Sequence, residues 1–272
     1  MNRTYDFSIS STQFIANDGS LIKPLPDAIN ETLLLQAYRQ MVLIRAFDQK
    51  AIALQRTGKL GTYPSSLGQE AIGVAIGLAM RADDVFVPYY RDHATQYIRG
   101  VSLSEILQYW GGDERGSDYQ NCQEDMPPCV PIATQFCHAA GIASAFKIRS
   151  EKRASVVTGG DGSTSKGDFL ESLNLSGVWQ LPMVMIINNN QWAISVPRSL
   201  QTKSETLAQK AIAAGIPGIQ IDGNDPITRG LGEVFTGSEG TERFVTLSQL
   251  HPTIPTDLAT LATFPGNGAD FP

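Results

Sequence analysis

The feature that most constrains this chain is a run of alternating element signals between Arg153 and Ile187. Arg153 to Thr158 reads as a short strand and Gly159-Gly160-Asp161-Gly162 as a tight turn. Asp168 to Trp179 then reads as a helix with Leu170, Leu173, Gly177 and Val178 on one face, and Met183 to Ile187 as a second strand. That second strand is apolar throughout, the pattern of a strand buried on both faces. Strand, glycine-rich turn, helix and strand make a βαβ unit, so the two strands lie parallel with a right-handed crossover. The expected fold class is α/β, a mostly parallel sheet flanked by helices, and ligands of such sheets gather beyond the carboxyl ends of the strands.

The remaining pattern fits around that unit. Residues 1–30 read as a loose arm, punctuated by Asn17-Asp18-Gly19, Pro24 and Pro26. Glu31 to Arg56 reads as a helix, with Leu34, Leu35, Tyr38, Met41, Val42 and Ile44 or Arg45 at helical spacing and Gly58 placed to end it. A second helix is expected from about Gln69 to Met80. Its small residues Ala71, Gly73, Ala75, Gly77 and Ala79 point to close packing against another backbone. Val85-Phe86-Val87 reads as a buried strand stopped by Pro88, and Ala133 to Lys147 as a helix rich in Ala and Gly. The main domain spans 31–225. The 47 residues from Pro226 to Pro272 include 8 Thr, 6 Gly and 5 Pro with no Lys, and so read as an atypical tail 226–272 in which strand and helix no longer alternate.

Bulk properties exclude several functions. Hydrophobic residues at 42% and charged residues at 18% are a folded protein's balance. A net charge of −6 without a basic run argues against nucleic acid as a partner. No apolar run approaches the roughly 20 residues of a membrane helix, and Met1 to Ser10 lacks a secretory layout, so a cytoplasmic protein without membrane contact is expected. The spacing of Cys122, Cys129 and Cys137 matches no zinc pattern and suits reduced thiols.

The chemistry-bearing candidates lie at the two strand ends. Gly160-Asp161-Gly162 is followed 29 residues later by Asn190, within Asn188-Asn189-Asn190. A carboxylate and an amide at adjacent strand ends offer hard oxygen ligands, which suit magnesium when a substrate's phosphates complete its shell. Gly160 and Gly162 let the backbone come close to a diphosphate. A bare Gly-Asp-Gly is common and reads equally well as a plain turn; the βαβ context and the Asn run favour the ligand site. No GxGxxG run opens a helix after a strand, which disfavours a nicotinamide site.

The stretch GGDGSTSKGDFLESLNLSGVWQLPMVMIINNNQWAISVP, Gly159 to Pro197, resembles the thiamine diphosphate motif of the alpha subunits of 2-oxo acid dehydrogenase components, the pyruvate type foremost. LQRTGKLGTYPSSLGQEA, VPYYRDHA, YWGGDERG and PPCVPIATQ extend the resemblance over about residues 30 to 225. It implies a thiamine-diphosphate-binding fold in which Asp161, Asn190 and the main-chain carbonyl of Trp192 hold Mg2+. Gly162 and Ser163 would donate N–H groups to the cofactor's diphosphate, and Tyr90 and Arg91 would grip its phosphate end. Ile132 would wedge it into a bent shape, and Ile194 falls among its binding residues. Thr134 and Gln135 match positions that in some relatives surround K+. His93, after Tyr-Arg-Asp, is the catalytic candidate. Outside this context Tyr90-Arg91 would read as a surface pair, Ile132 as core and His93 as a structural histidine.

The resemblance also implies partners and an activity. These are a beta subunit that supplies the activating glutamate, an α2β2 heterotetramer, and the lipoyl domain of the acyltransferase component. The reaction would be oxidative decarboxylation of pyruvate, a small 2-oxo acid, with the acetyl group passed to lipoamide. Branched-chain 2-oxo acids are the alternative substrates, and a truncated non-catalytic relic is the alternative of another class. The family continues beyond Ile221-Asp222-Gly223-Asn224-Asp225 into a loop bearing His, Ser or Thr, and Asp; residues 226–272 do not resemble it, and Leu250 and Pro252 beside His251 do not fit. A shift of reading frame near codon 226 is the expectation, checked by reading the other frames of the gene for such a loop.

Overall fold

The computed structural model describes residues 6–16, 18–27, 29–223 and 225, and the backbone of 243–248. Strands are β1 (Ser10–Thr12), β2 (Val85–Val87), β3 (Ser155–Gly160), β4 (Met183–Asn189), β5 (Trp192–Ala193), β6 (Val196–Pro197), β7 (Gly218–Asp222) and β8 (Arg243–Ser248). Six of them form one sheet in the order β1-β7-β8-β4-β3-β2, and β5 and β6 form a small hairpin. Every pairing in the large sheet is parallel. The parallel sheet and its flanking helices are the expected α/β class.

Side chains of β3 and β4 point alternately to two helical layers. Val157, Met183, Met185 and Ile187 pack on helix α5 (Thr134–Arg149) and helix α6 (Gly167–Trp179). Val156, Val184 and Ile186 pack with Phe86 on Ile72 and Ile76 of helix α2 (Glu70–Ala79). Burial on both sides explains why Met183 to Ile187 carries no polar alternation. Outside α2 lie α1 (Glu31–Arg56), α3 (His93–Arg99) and α4 (Leu103–Trp110), joined to it through Ala37, Ile44, Val74 and Ala94. α1 is capped by Asn30, whose side chain accepts from Leu33 N at 2.9 Å. Two four- and five-residue helices, α7 (Arg198–Gln201) and α8 (Gln209–Ala213), connect the hairpin to β7. Among the described residues no helix is long and apolar enough to cross a membrane.

The close packing expected of α2 is present. A Cβ on Gly73 would lie 2.6 Å from the Cβ of Ala94 and 3.1 Å from the amide of Thr95, and Thr95 Oγ1 donates to Gly73 O at 3.0 Å. Other expectations change. The arm is not loose: Ser10–Thr12 forms the sheet's edge against β7, and Phe14 is buried. A three-residue polar strand has no alternation to read, and Asp225 Oδ2 fixes the turn after it by accepting from Phe14 N at 2.5 Å. On α6 the buried residues are Phe169, Ser172, Leu173 and Ser176, while Leu170 and Val178 face outward. Small serines on the packed face admit α5, and Ser172 satisfies its hydroxyl on Asp168 O at 2.7 Å. On α1, Leu35 is exposed and Asp48 buried. In the tail, Arg243–Ser248 forms a strand between β4 and β7. The composition of 47 residues had hidden a six-residue run rich in strand-forming Phe, Val and Thr. His251 and the rest of 226–272 lie outside the described residues.

Gly73→Ala should therefore lower unfolding stability by about 1–3 kcal/mol, the usual cost of overpacking a filled contact. The denaturant midpoint measures it, and an unchanged midpoint would show that α2 and α3 are not in this contact.

Candidate cofactor site at the carboxyl ends of the strands

Gly160 of β3 pairs with Asn188 of β4, so Asp161 and Asn190 follow one and two residues beyond a single register pair. Both line one cavity of about 320 Å³, together with Tyr90, Arg91, Ile132, Gly162, Ser163, Trp192 and Ile194. The residues expected at the site thus converge, except His93 and Thr134, which do not line the cavity.

Asp161 begins a 3₁₀ turn, Asp161–Ser165, that leads into α6. Its carboxylate is buried, which raises its pKa, while the donated hydrogen bond from Gln201 Nε2 to Oδ2, 3.1 Å, opposes the rise. Gly162 sits against the β5–β6 hairpin, where an added Cβ would be 2.5 Å from that of Ala193. Asn190 turns the chain by accepting from Trp192 N at 3.0 Å. Gln191 and Ile194 have φ of 71° and 55°, and Ile194 is 94% exposed. A β-branched residue in the left-handed region is sterically costly, and strain of this kind collects at ligand sites.

Across the cavity, Tyr89 to Arg91 link β2 to α3. Arg91 Nη1 donates to Ser65 O at 2.5 Å, and its guanidinium carbon lies 5.3 Å from the Tyr90 ring centroid. Asp92, fully buried, accepts from Tyr89 N at 2.9 Å and from the hydroxyl of Thr158 on β3. Burial pushes its pKa up to about 8 against these hydrogen bonds. Tyr89 OH donates to Gln69 Oε1 at 2.6 Å and accepts from Asn188 Nδ2 at 3.0 Å. Gln135 Nε2 donates to Thr158 O at 2.9 Å. Gln135 Oε1 and Asn188 Oδ1 are buried and have no hydrogen-bond partner among the described residues, although both side chains line the cavity.

The cavity therefore combines one carboxylate, several amide oxygens, a tight turn with a glycine, and two cations, Arg91 and Lys166. Among the described residues no three His, Cys, Asp or Glu side chains group as a metal cage. Such a set suits a hard cation bridged to an anionic ligand rather than a cation held by protein alone.

Residues 38–228 match the family model described as Dehydrogenase E1 component. The chain belongs to this family. It is 38% identical over 217 residues to the pyruvate dehydrogenase E1 component subunit alpha of Staphylococcus aureus (strain Mu50 / ATCC 700699), covering 79% of this chain and 58% of that protein. To the subunit of the same name from Acholeplasma laidlawii it is 44% identical over 200 residues, or 74% of this chain and 58% of the other. The chain thus spans 58% of the length of these relatives. A solved thiamin diphosphate-dependent enzyme from Mycobacterium smegmatis overlays with a TM-score of 0.45 at 16% identity, covering 69% of this chain and 32% of that one.

In this E1 component chain, sequence reasoning missed Gln69, Tyr89, Cys129, Lys166 and Asn188 as cavity residues. Tyr89 and Asn188 adjoin residues that were singled out, and their sequence neighbourhood was the available signal. Gln69, Cys129 and Lys166 lie inside the blocks that carry the family resemblance, but those blocks do not mark which of their residues face the ligand.

The structure does not bring His93 to the cavity. It is fully buried, stacked on Tyr63 at 4.9 Å between centroids, with Tyr63 OH 3.2 Å from Nδ1. Tyr63 spends its one proton on Asp48 Oδ1 at 3.0 Å, so Nδ1 must be the donor to the Tyr63 oxygen. Nε2 is left a bare acceptor with no hydrogen-bond partner among the described residues. Burial chiefly, and Arg91 secondarily, depress the imidazole to about 4 despite the attraction of Asp48. The unfolded chain therefore takes up a proton that the fold refuses between pH ~6.5 and about 4. This contribution to stability is full above that window and lost as pH falls through it, at up to about 1.4 kcal/mol per pH unit. The excess stability of wild type over His93→Gln should shrink accordingly in denaturant titrations across the window; a constant difference would refute a neutral buried His93.

Proposed function

We propose that the chain is the alpha subunit of a pyruvate dehydrogenase of the acetyl-transferring type. It would act in the thiamine-diphosphate-dependent oxidative decarboxylation of pyruvate, passing the acetyl group to lipoamide. The observation that carries this reading is the convergence of Asp161 and Asn190 with Tyr90 and Arg91 on one cavity at the ends of β3 and β4. The names of the relatives described above support pyruvate as the substrate; no observation favours branched-chain 2-oxo acids.

The residues present fit the cofactor. Asp161, Asn190 and the Trp192 carbonyl are hard oxygen donors that would hold Mg2+ beside a bound diphosphate. Gly162 and Ser163, in the turn at the start of α6, offer N–H groups to the same diphosphate. Arg91 and Lys166 balance its charge. Ile132, 40% exposed, would provide the apolar wedge, and Gln135 Oε1, without a hydrogen-bond partner among the described residues, would be the ligand for K+ next to Thr134. When bound, thiamine diphosphate supplies the electron sink for decarboxylation. The chain's own contribution is to hold the diphosphate, orient the rings against Ile132 and Ile194, and limit access of water.

Asp161 is the one acidic side chain among the described cavity-lining residues, and in this reading it would be taken up by the metal. The carboxylate that activates the cofactor's pyrimidine ring must then come from elsewhere, which supports a beta subunit. Ile132, Trp192 and Ile194 leave apolar surface exposed on the cavity lining, and Val130 and Val196 are exposed next to lining residues in the sequence or hairpin, as a site closed by a partner requires. An α2β2 assembly serving a lipoyl domain follows from this reading, and three free thiols suit the cytoplasm.

Calorimetry with thiamine diphosphate and Mg2+, with and without the beta chain, tests the proposal. Asp161→Ala should weaken metal-dependent binding by at least about a hundredfold, beyond what loss of an outer-sphere partner costs. With the beta chain present, turnover of pyruvate should exceed that of 2-oxoisovalerate. Absence of binding in both arms, or an Asp161→Ala variant that binds normally, would refute the proposal.

A further inference from the structure

A second polar cluster lies behind the cavity, on the Arg91 side, and takes no part in the roles assigned above. Arg45 and Asp48, three residues apart on α1, reach the segment between Tyr63 and Glu70. Arg45 Nε and Nη2 donate to Glu70 Oε1 and Oε2 at 2.9 and 3.0 Å, and Glu70 Oε2 also accepts from Gly68 N at 3.0 Å. Asp48 Oδ1 accepts from Tyr63 OH at 3.0 Å, Ser66 N at 2.8 Å and Ser66 Oγ at 3.3 Å. Its Oδ2 accepts from Ser65 Oγ at 2.7 Å. The segment thus pinned has two outputs into the cavity. Ser65 O receives Arg91 Nη1 at 2.5 Å, and Gln69 Oε1 receives Tyr89 OH at 2.6 Å.

Asp48 is 2% exposed, and burying a carboxylate costs more than an apolar side chain that would hold α1 against this segment equally well. The four donors it gathers belong to three residues around Ser65. What they fix is the direction of the Ser65 carbonyl, and through it the guanidinium. Without that carbonyl Arg91 retains, among the described residues, only its stacking on Tyr90 and must lose its rotamer freedom when an anion binds.

We propose that Asp48 is a positioning residue for Arg91. It holds the loop whose Ser65 carbonyl sets the guanidinium in place before the ligand arrives. The inference rests on reading the cavity as a diphosphate site, with Arg91 at its phosphate end.

The test is calorimetric titration of magnesium pyrophosphate into the full chain. Asp48→Ala should bind about tenfold more weakly, the factor expected for a charge-assisted contact that has to be ordered on binding. Asp48→Asn keeps an acceptor for Tyr63 and Ser66 and needs only the Ser65 hydroxyl to reverse, so its affinity should recover to within about threefold of wild type. Arg91→Ala should weaken binding, and adding Asp48→Ala to it should cost nothing more, because the two act as one unit. If Asp48→Ala does not fold, Ser65→Ala, which removes one of the four bonds to Asp48 and the acceptor for Leu67 N, carries the same comparison. Full affinity in the Asp48 or Ser65 variants, or a penalty that persists undiminished in the Arg91→Ala background, would overturn the positioning role alone. A wild-type chain that binds no pyrophosphate, or an Arg91→Ala variant that binds like wild type, would overturn the diphosphate reading and this inference with it.

Discussion

Backbone hydrogen bonding between β3 and β4 sets Gly160 opposite Asn188, and the site is built outward from that register. A slip of one residue would turn Val156 and Val157 to the wrong helical layers and separate Asp161 from the Asn run. The register is held by burial. Val184 and Ile186 on one face and Met183, Met185 and Ile187 on the other are nearly inaccessible, each contributing roughly 1.5–3 kcal/mol. Their sum exceeds the cost of carrying Asn188 into the same strand, whose Oδ1 has no partner among the described residues, where an unpaired polar group costs about 1–3 kcal/mol. The apolar part of β4 thus stabilises the polar end that functions.

The second wall of the cavity is attached to the first through Thr158. Its hydroxyl donates to Asp92, at the head of α3, and its carbonyl accepts from Gln135, in the first turn of α5. One residue of β3 therefore ties together the Tyr-Arg segment and the helix behind Ile132. These groups are buried, so each hydrogen bond is strong and each unpaired atom expensive. The free oxygens of Gln135 and Asn188 are informative for that reason. They are acceptors kept beside a cavity at a cost, which a bound cation or donor would offset.

Much of this was legible in the sequence because it is local. Glycine and aspartate at a strand end, an Asn run at the next, and the apolar strand between helices announce themselves by order and spacing, and Tyr90, Arg91, Ile132, Ile194 and Trp192 could be placed by family resemblance. Strand limits were less legible. Gly159 and Gly160 read as turn residues yet continue β3, because their partners Ile187 and Asn188 lie across the sheet. The faces of α6 were misread since Leu170 and Val178 look like core, and only the approach of α5 makes Ser172 and Ser176 the buried residues.

His93 marks the limit of motif reasoning. Its place after Tyr-Arg-Asp says that it lies near the site, but helix α3 turns it toward Tyr63, Phe47 and Trp110, away from the cavity. Asp48, which no sequence motif singles out, proves to be a buried acceptor for a distant loop. The sequence by itself determined the parallel α/β class, the family and the groups at the strand ends, since periodicity, turn chemistry and motif spacing act over short stretches of chain. Only the tertiary structure decided register, the outward faces of the helices, and which buried polar atoms meet. Those depend on partners tens to hundreds of residues away, whose directions no local pattern encodes.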